Sequence, residues 1–155
     1  MRTTRALVLL VAAGTIVLAL AIGGCGGAES RLTKAQFINR GDAICKQAGQ
    51  EQVELASHHP GEVVSGNFAA VTAVFVPPME RELRRLKALS PPEADEGRVR
   101  ALLGKIEAGV EGAKADYLDL FVEETDPFAQ ADALARRYGL VACAESSHAV
   151  IEPQG

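Results

Sequence analysis

Between Leu32 and Cys143 apolar residues recur every three or four positions, and no segment alternates apolar with polar over the length of a strand. Helices are therefore expected throughout. The first opens with Thr33 and Gln36 at capping-box spacing, flanked by Leu32 and Phe37 as a hydrophobic staple. Phe37, Gly41, Ile44, Cys45, Ala48 and Leu55 mark its buried stripe, which predicts a helix to about Ser57, ahead of the stop at His58-His59-Pro60-Gly61. Asn67 is a candidate N-cap for the second element. There Phe68, Val71, Phe75, Met79, Leu83, Leu86 and Leu89 keep one face in phase across Pro77-Pro78. Two adjacent prolines remove two amide donors and crowd the preceding turn, so this stretch is either one kinked helix or two helices at a corner, with the preserved phase favouring the kink.

Ser90-Pro91-Pro92 forces a turn, and Pro92, Glu93, Asp95 and Glu96 suit the start of a third helix, where acidic groups complement the positive end of the dipole. Val99, Leu103, Ile106, Val110, Ala113, Tyr117 and Leu120, widened by Leu102 and Phe121, predict the longest helix of the chain, about 30 residues and about 45 Å at ~1.5 Å per residue. Asp126 as N-cap and Pro127 at the first position open a fourth, with Phe128, Ala131, Leu134, Ala135 and Tyr138 on its apolar face and Gly139 as its left-handed stop. Leu140 to Ala142 return Cys143 towards the first helix. The expected fold is all-α, an antiparallel four-helix bundle over residues 32–143 with a flexible tail at 144–155.

The N-terminal pattern is different in kind. Arg2 and Arg5 precede an uncharged apolar run from Ala6 to Ile22, broken only by Gly14 and Thr15, which reads as an export signal. An uncleaved anchor is the alternative, although a run of this length is at the short limit for spanning ~30 Å of hydrocarbon. Ile22-Gly23-Gly24-Cys25 at its end resembles the lipobox of bacterial lipoproteins, with Ile22 where that family usually has leucine. The resemblance implies cleavage after residue 24, diacylglyceryl attachment to Cys25 and fatty acyl chains such as palmitate, which would leave residues 25–31 as a lipidated tether. Either way the rest of the chain is expected outside the cytoplasm and held at a membrane.

Lipid on Cys25 leaves Cys45 and Cys143 as a pair, and disulfides persist outside the cytoplasm. The rival is two buried free thiols. A bridge closing nearly the whole domain removes roughly 4 to 5 kcal/mol of unfolded-state entropy in the simple loop model. Leu32-Thr33-Lys34-Ala35-Gln36-Phe37 leading into Asp42-Ala43-Ile44-Cys45, with Tyr138-Gly139-Leu140 before Cys143, resembles small exported actinobacterial helical proteins of unassigned function. That resemblance supports the helical fold and the bridge and implies no site.

Charge narrows the partners. All 20 acidic residues but only 14 of the 16 basic ones lie beyond residue 24, a formal charge of −6 that disfavours nucleic acid and anionic headgroups as partners. His58, His59 and His148 are the only imidazoles, and three at these positions fall short of the four well-spaced ligands of a structural zinc site, so no metal site is expected. Ser65, Ser90, Ser146 and Ser147 lack a GxSxG setting, and Glu123, Glu124 and Asp126 read as a solvated helix junction. Arg81, Arg84, Arg85 and Lys87 read as dipole complementation and pairing such as Glu80 with Arg84, or else as a docking patch for an anionic partner.

These readings converge on a lipid-anchored extracytoplasmic binding or structural module of the cell envelope. No catalysis and no cofactor are expected; the membrane is reached through Cys25, and an envelope protein or small ligand is a further possible partner. The alternative is a small envelope hydrolase or a metal or ligand carrier using His58, His59 or the carboxylates.

Overall fold

A computed structural model of the chain describes residues 31–61 and 67–149. The described residues are helical and contain no strand. Helix α1 spans Lys34–His58, α2 Phe68–Lys87, α3 Glu96–Ala115, α4 Ala129–Tyr138 and α5 Cys143–Ser146, with 3-10 segments at Glu93–Asp95 and Tyr117–Phe121. Helix α1 packs on α2, α2 on α3 and α3 on α4, while α5 lies against both α1 and α4. Phe37, Phe75, Leu86, Val99, Leu102 and Leu140 sit at the centre of the resulting core.

The local signals act as their chemistry requires. The Thr33 Oγ1 accepts the Gln36 amide at 3.2 Å and the Gln36 side chain accepts the Thr33 amide at 3.0 Å, closing a capping box on α1. At the end of α4, Gly139 takes φ +106°, and its amide and that of Leu140 both donate to the Ala135 carbonyl, at 3.0 and 2.9 Å. Pro77 and Pro78 lie inside one helix rather than at a corner. Val71, Phe75 and Val76 before the prolines and Met79, Leu83 and Leu86 after them are all buried. At about 1.5 to 3 kcal/mol per buried side chain, this continuous face outweighs the ~3 kcal/mol or more that an interior proline costs.

Two expectations are corrected. The third helix has 20 residues and is shorter than α1, which has 25. Asp116 leaves the helix at φ −148°, ψ 104°, and Tyr117 and Leu120 reach the core from the 3-10 segment instead. A spacing of three satisfies a 3-10 turn as well as an α-helix, so periodicity alone could not mark the break. Tyr117 stacks on Phe75 with ring centroids 5.5 Å apart, which rewards the change of direction.

The tail is also more ordered than expected. Residues 144–149 pack on the domain: Ala144, Ser146 and Ser147 are buried, and α5 lies against α1 at Gly49, where an added Cβ would come within 3.2 Å of Ala149 and 3.7 Å of the Ser146 backbone. The cause is the covalent tie one residue upstream. Cys45 and Cys143, 98 positions apart in sequence, form a buried disulfide, so the chain after Cys143 starts already docked on α1. Residues 150–155 lie outside the described residues.

The N-terminal end of the domain is fixed beside the α2–α3 turn. The Leu32 amide donates to the Ser90 carbonyl at 2.9 Å, and Arg31 pairs with Glu96 at 3.4 Å. Phe37 meets Tyr138 edge-on at 5.8 Å, and the Tyr138 hydroxyl donates to Asp95 at 3.2 Å. The start of α1, the start of α3 and the end of α4 thus share one end of the molecule. No described helix is long and apolar enough to cross a membrane.

Candidate functional site

The sequence-predicted residues separate into three groups. Cys25, the expected lipid acceptor, lies outside the described residues, as does Ser65. Cys45 and Cys143 are joined, with the Cys45 side chain inaccessible to solvent, so this bridge is a structural staple. His58 and His59 close α1, where His58 stands in the last turn as the dipole argument anticipates. Neither belongs to a group of ligand atoms close enough to share an ion among the described residues.

The basic run on α2 is largely paired. Arg81 meets Glu51, Arg85 donates to Gln47 at 2.8 Å, and Lys87 pairs with Glu107 at 2.7 Å. Glu80 pairs with Lys114 of α3 at 2.6 Å rather than with Arg84. Hydrogen bonding to Lys114 holds the Glu80 carboxyl below its usual range, with Arg84 and Arg81 adding a weaker pull through space. These contacts knit α2 to α1 and α3, while Arg84, Arg85 and Lys87 stay exposed.

The structure instead assembles a polar cluster inside the apolar body, where α2, α4 and α5 meet. Glu82 projects from the buried face of α2, and its carboxyl and the Cys143 carbonyl each lie 3.2 Å from the Ser146 hydroxyl. The Ser146 hydroxyl is the donor that faces both acceptors, shared between the Glu82 carboxyl and the Cys143 carbonyl. Burial, opposed by the Ser146 hydrogen bond and aided by the nearby Asp132 charge, pushes the Glu82 carboxyl up to about 8. Asp132, also buried, accepts from Ser147 at 3.5 Å. A cavity of about 10 Å³ among Met79, Glu82, Phe128, Asp132 and Ser146 has room for about one water-sized body.

His148 completes the cluster at its outer edge. Its Nε2 lies 3.1 Å from Asp132 Oδ2 and 3.4 Å from Asp126 Oδ2, while Asp126 Oδ1 accepts the Phe128 amide at 2.9 Å. Asp126 therefore braces the turn before α4 but is not the expected N-cap, because the helix starts at Ala129 with Phe128 in the cap position and Pro127 outside it; nor is it part of a solvated junction, since its side chain is only 12% exposed, against 6% for Asp132 and 23% for His148. Glu123 and Glu124 remain exposed. Ser146 and Ser147 are engaged with Glu82 and Asp132.

The second group with metal-ligand proximity, Cys45, Glu82 and Cys143, offers no thiolate, because both sulfurs are spent in the disulfide. A signal for the buried cluster was present in the sequence. Glu82 stands three residues after Met79 and next to Leu83, and Asp132 four residues after Phe128, so both carboxylates occupy core phases of their helices. A carboxylate at such a phase has to be neutral or partnered. No family model matches the chain, and neither a curated protein nor a solved structure shows significant similarity to it.

Proposed function

We propose that the protein is an exported lipoprotein whose helical domain is held at the outer face of a membrane by acyl chains on Cys25 and acts there as a binding or structural module of the cell envelope, without catalysis. The observation that carries this reading is the pairing of Cys45 with Cys143, since the remaining cysteine of the sequence, Cys25, stands at the end of an apolar run and within a lipobox-like sequence. A buried disulfide suits an oxidising compartment. The four longer helices are proposed to run alternately up and down as a bundle, in keeping with the shared end formed by the starts of α1 and α3 and the end of α4.

The same end fits the anchor. Residues 26–30 span at most about 18 Å at ~3.6 Å per residue, and Arg31 and Leu32 are bound to Glu96 and Ser90, so the proposed anchor keeps the α2–α3 turn within a short tether's reach of the bilayer. Several acyl chains together anchor durably, at about 0.8 kcal/mol per buried methylene, and confinement to a surface raises the effective concentration for a weak partner. Replacing Cys25 by serine tests the reading. C25S is expected to leave the membrane fraction or to accumulate as the unprocessed precursor, with its helical content unchanged. Membrane retention and polypeptide mass equal to those of the processed wild type would contradict it.

A further inference from the structure

We propose that Asp126, Asp132 and His148 form a binding site for one divalent transition-metal ion of the zinc class, with Asp126 Oδ2, Asp132 Oδ2 and His148 Nε2 as ligands and a fourth position open to an exchangeable group. The three ligand atoms lie within 4.8 Å of one another. The imidazole nitrogen stands 3.1 and 3.4 Å from the two oxygens. Ligand atoms about 2.0 to 2.1 Å from a tetrahedral zinc ion are themselves separated by about 3.3 to 3.4 Å, so both measured separations are near a tetrahedral edge. Small side-chain rotations would admit the ion.

The surroundings orient the ligands. The second oxygen of Asp126 is occupied by the Phe128 amide at 2.9 Å, and that of Asp132 by the Ser147 hydroxyl at 3.5 Å, so each carboxylate turns its other oxygen towards the imidazole. Such outer contacts are what fix ligand geometry in metal sites. Burial is graded from Asp132 through Asp126 to His148, which leaves the histidine side as the route of entry and the fourth position. One imidazole with two carboxylates suits zinc-like ions, and three protein donors are too few for calcium, which takes six to eight oxygens.

The site is independent of the anchor at Cys25, and its test separates the two. Full-length protein in detergent micelles, stripped with a chelator, is titrated with Zn²⁺ alone by calorimetry and by thermal unfolding. The expected result is one saturable equivalent that raises the melting temperature. H148Q and D126N should each lower affinity at least about tenfold, while the double variant H58Q/H59Q should bind as wild type does. Circular dichroism establishes that each variant is folded, and D126N, which keeps the oxygen that accepts the Phe128 amide, carries the test if H148Q unfolds. Absence of saturable binding by the wild type, binding that survives D126N, or binding lost in H58Q/H59Q would overturn the proposal.

Discussion

Glu82 is the residue whose chemistry most constrains the interior. Its folded-state pKa, raised to about 8, lies above the 4.5 of an ordinary glutamate, so the native state keeps a proton that the unfolded chain has lost. Native stability from this group is greatest below the unfolded value, falls as pH rises from about 4.5 to about 8, and levels off above that. The penalty near pH 8 is on the order of a few kcal/mol, the size expected for a buried carboxylate stripped of water. Glutamine has nearly the shape of the neutral acid and can donate to Ser146. E82Q should therefore be more stable than wild type at pH 8 and should lose the fall between pH 5 and 8, with both properties read from denaturant midpoints across that range. A parallel pH dependence in wild type and variant would show that Glu82 is not the group responsible.

Among the elements, α3 and the turn leading into α4 depend on two glycines for their close approach. A Cβ on Gly109 would fall 2.6 Å from two ring atoms of Phe128, and one on Gly112 would fall 2.7 Å from Pro127. Phe128 cannot move freely, because its amide is held by Asp126. G109A should cost about 1 to 3 kcal/mol by overpacking and should displace the turn that positions Asp126. Gly104 lies on the exposed face of the same helix with nothing near its Cβ position, so G104A should instead gain up to about 1 kcal/mol. Thermal or denaturant unfolding of the two variants compares them directly; equal effects would refute the close-packing account.

The same scale shows what could be read from sequence. Caps were legible because they rest on local bonds: Thr33 with Gln36 and Gly139 with Ala135 need only neighbours in the chain. The length of α3 was not, because Tyr117 and Leu120 keep the helical spacing after the helix has ended, and the stacking of Tyr117 on Phe75 is a tertiary fact. The order of residues 144–149 was missed for a related reason, since it follows from the docking of Cys143 on α1. Asp126 and Pro127 mark the turn in sequence but not the residue where α4 starts, and the burial of Asp126 is not legible because nothing nearby in sequence announces His148.

For the whole molecule, the bridge between Cys45 and Cys143 ties the first helix to the last across almost the entire described chain. Replacing both cysteines by alanine should lower stability by about 2 to 5 kcal/mol, most of it through a freer unfolded state, measured as a shift in denaturant midpoint. Residues 144–149 should lose hydrogen-exchange protection first in that variant, because their order depends on the tie. An unchanged midpoint would mean that the staple contributes nothing to the fold.

With Cys45 and Cys143 joined, the proposed acylation falls on the remaining cysteine of the sequence, Cys25, and its most direct measurement is intact-mass and non-reducing peptide analysis of the protein extracted from membranes. The account predicts a chain that begins at Cys25, carries a diacylglyceryl group there, and contains Cys45 crosslinked to Cys143. A chain retaining residues 1–24 with an unmodified Cys25 thiol would contradict it.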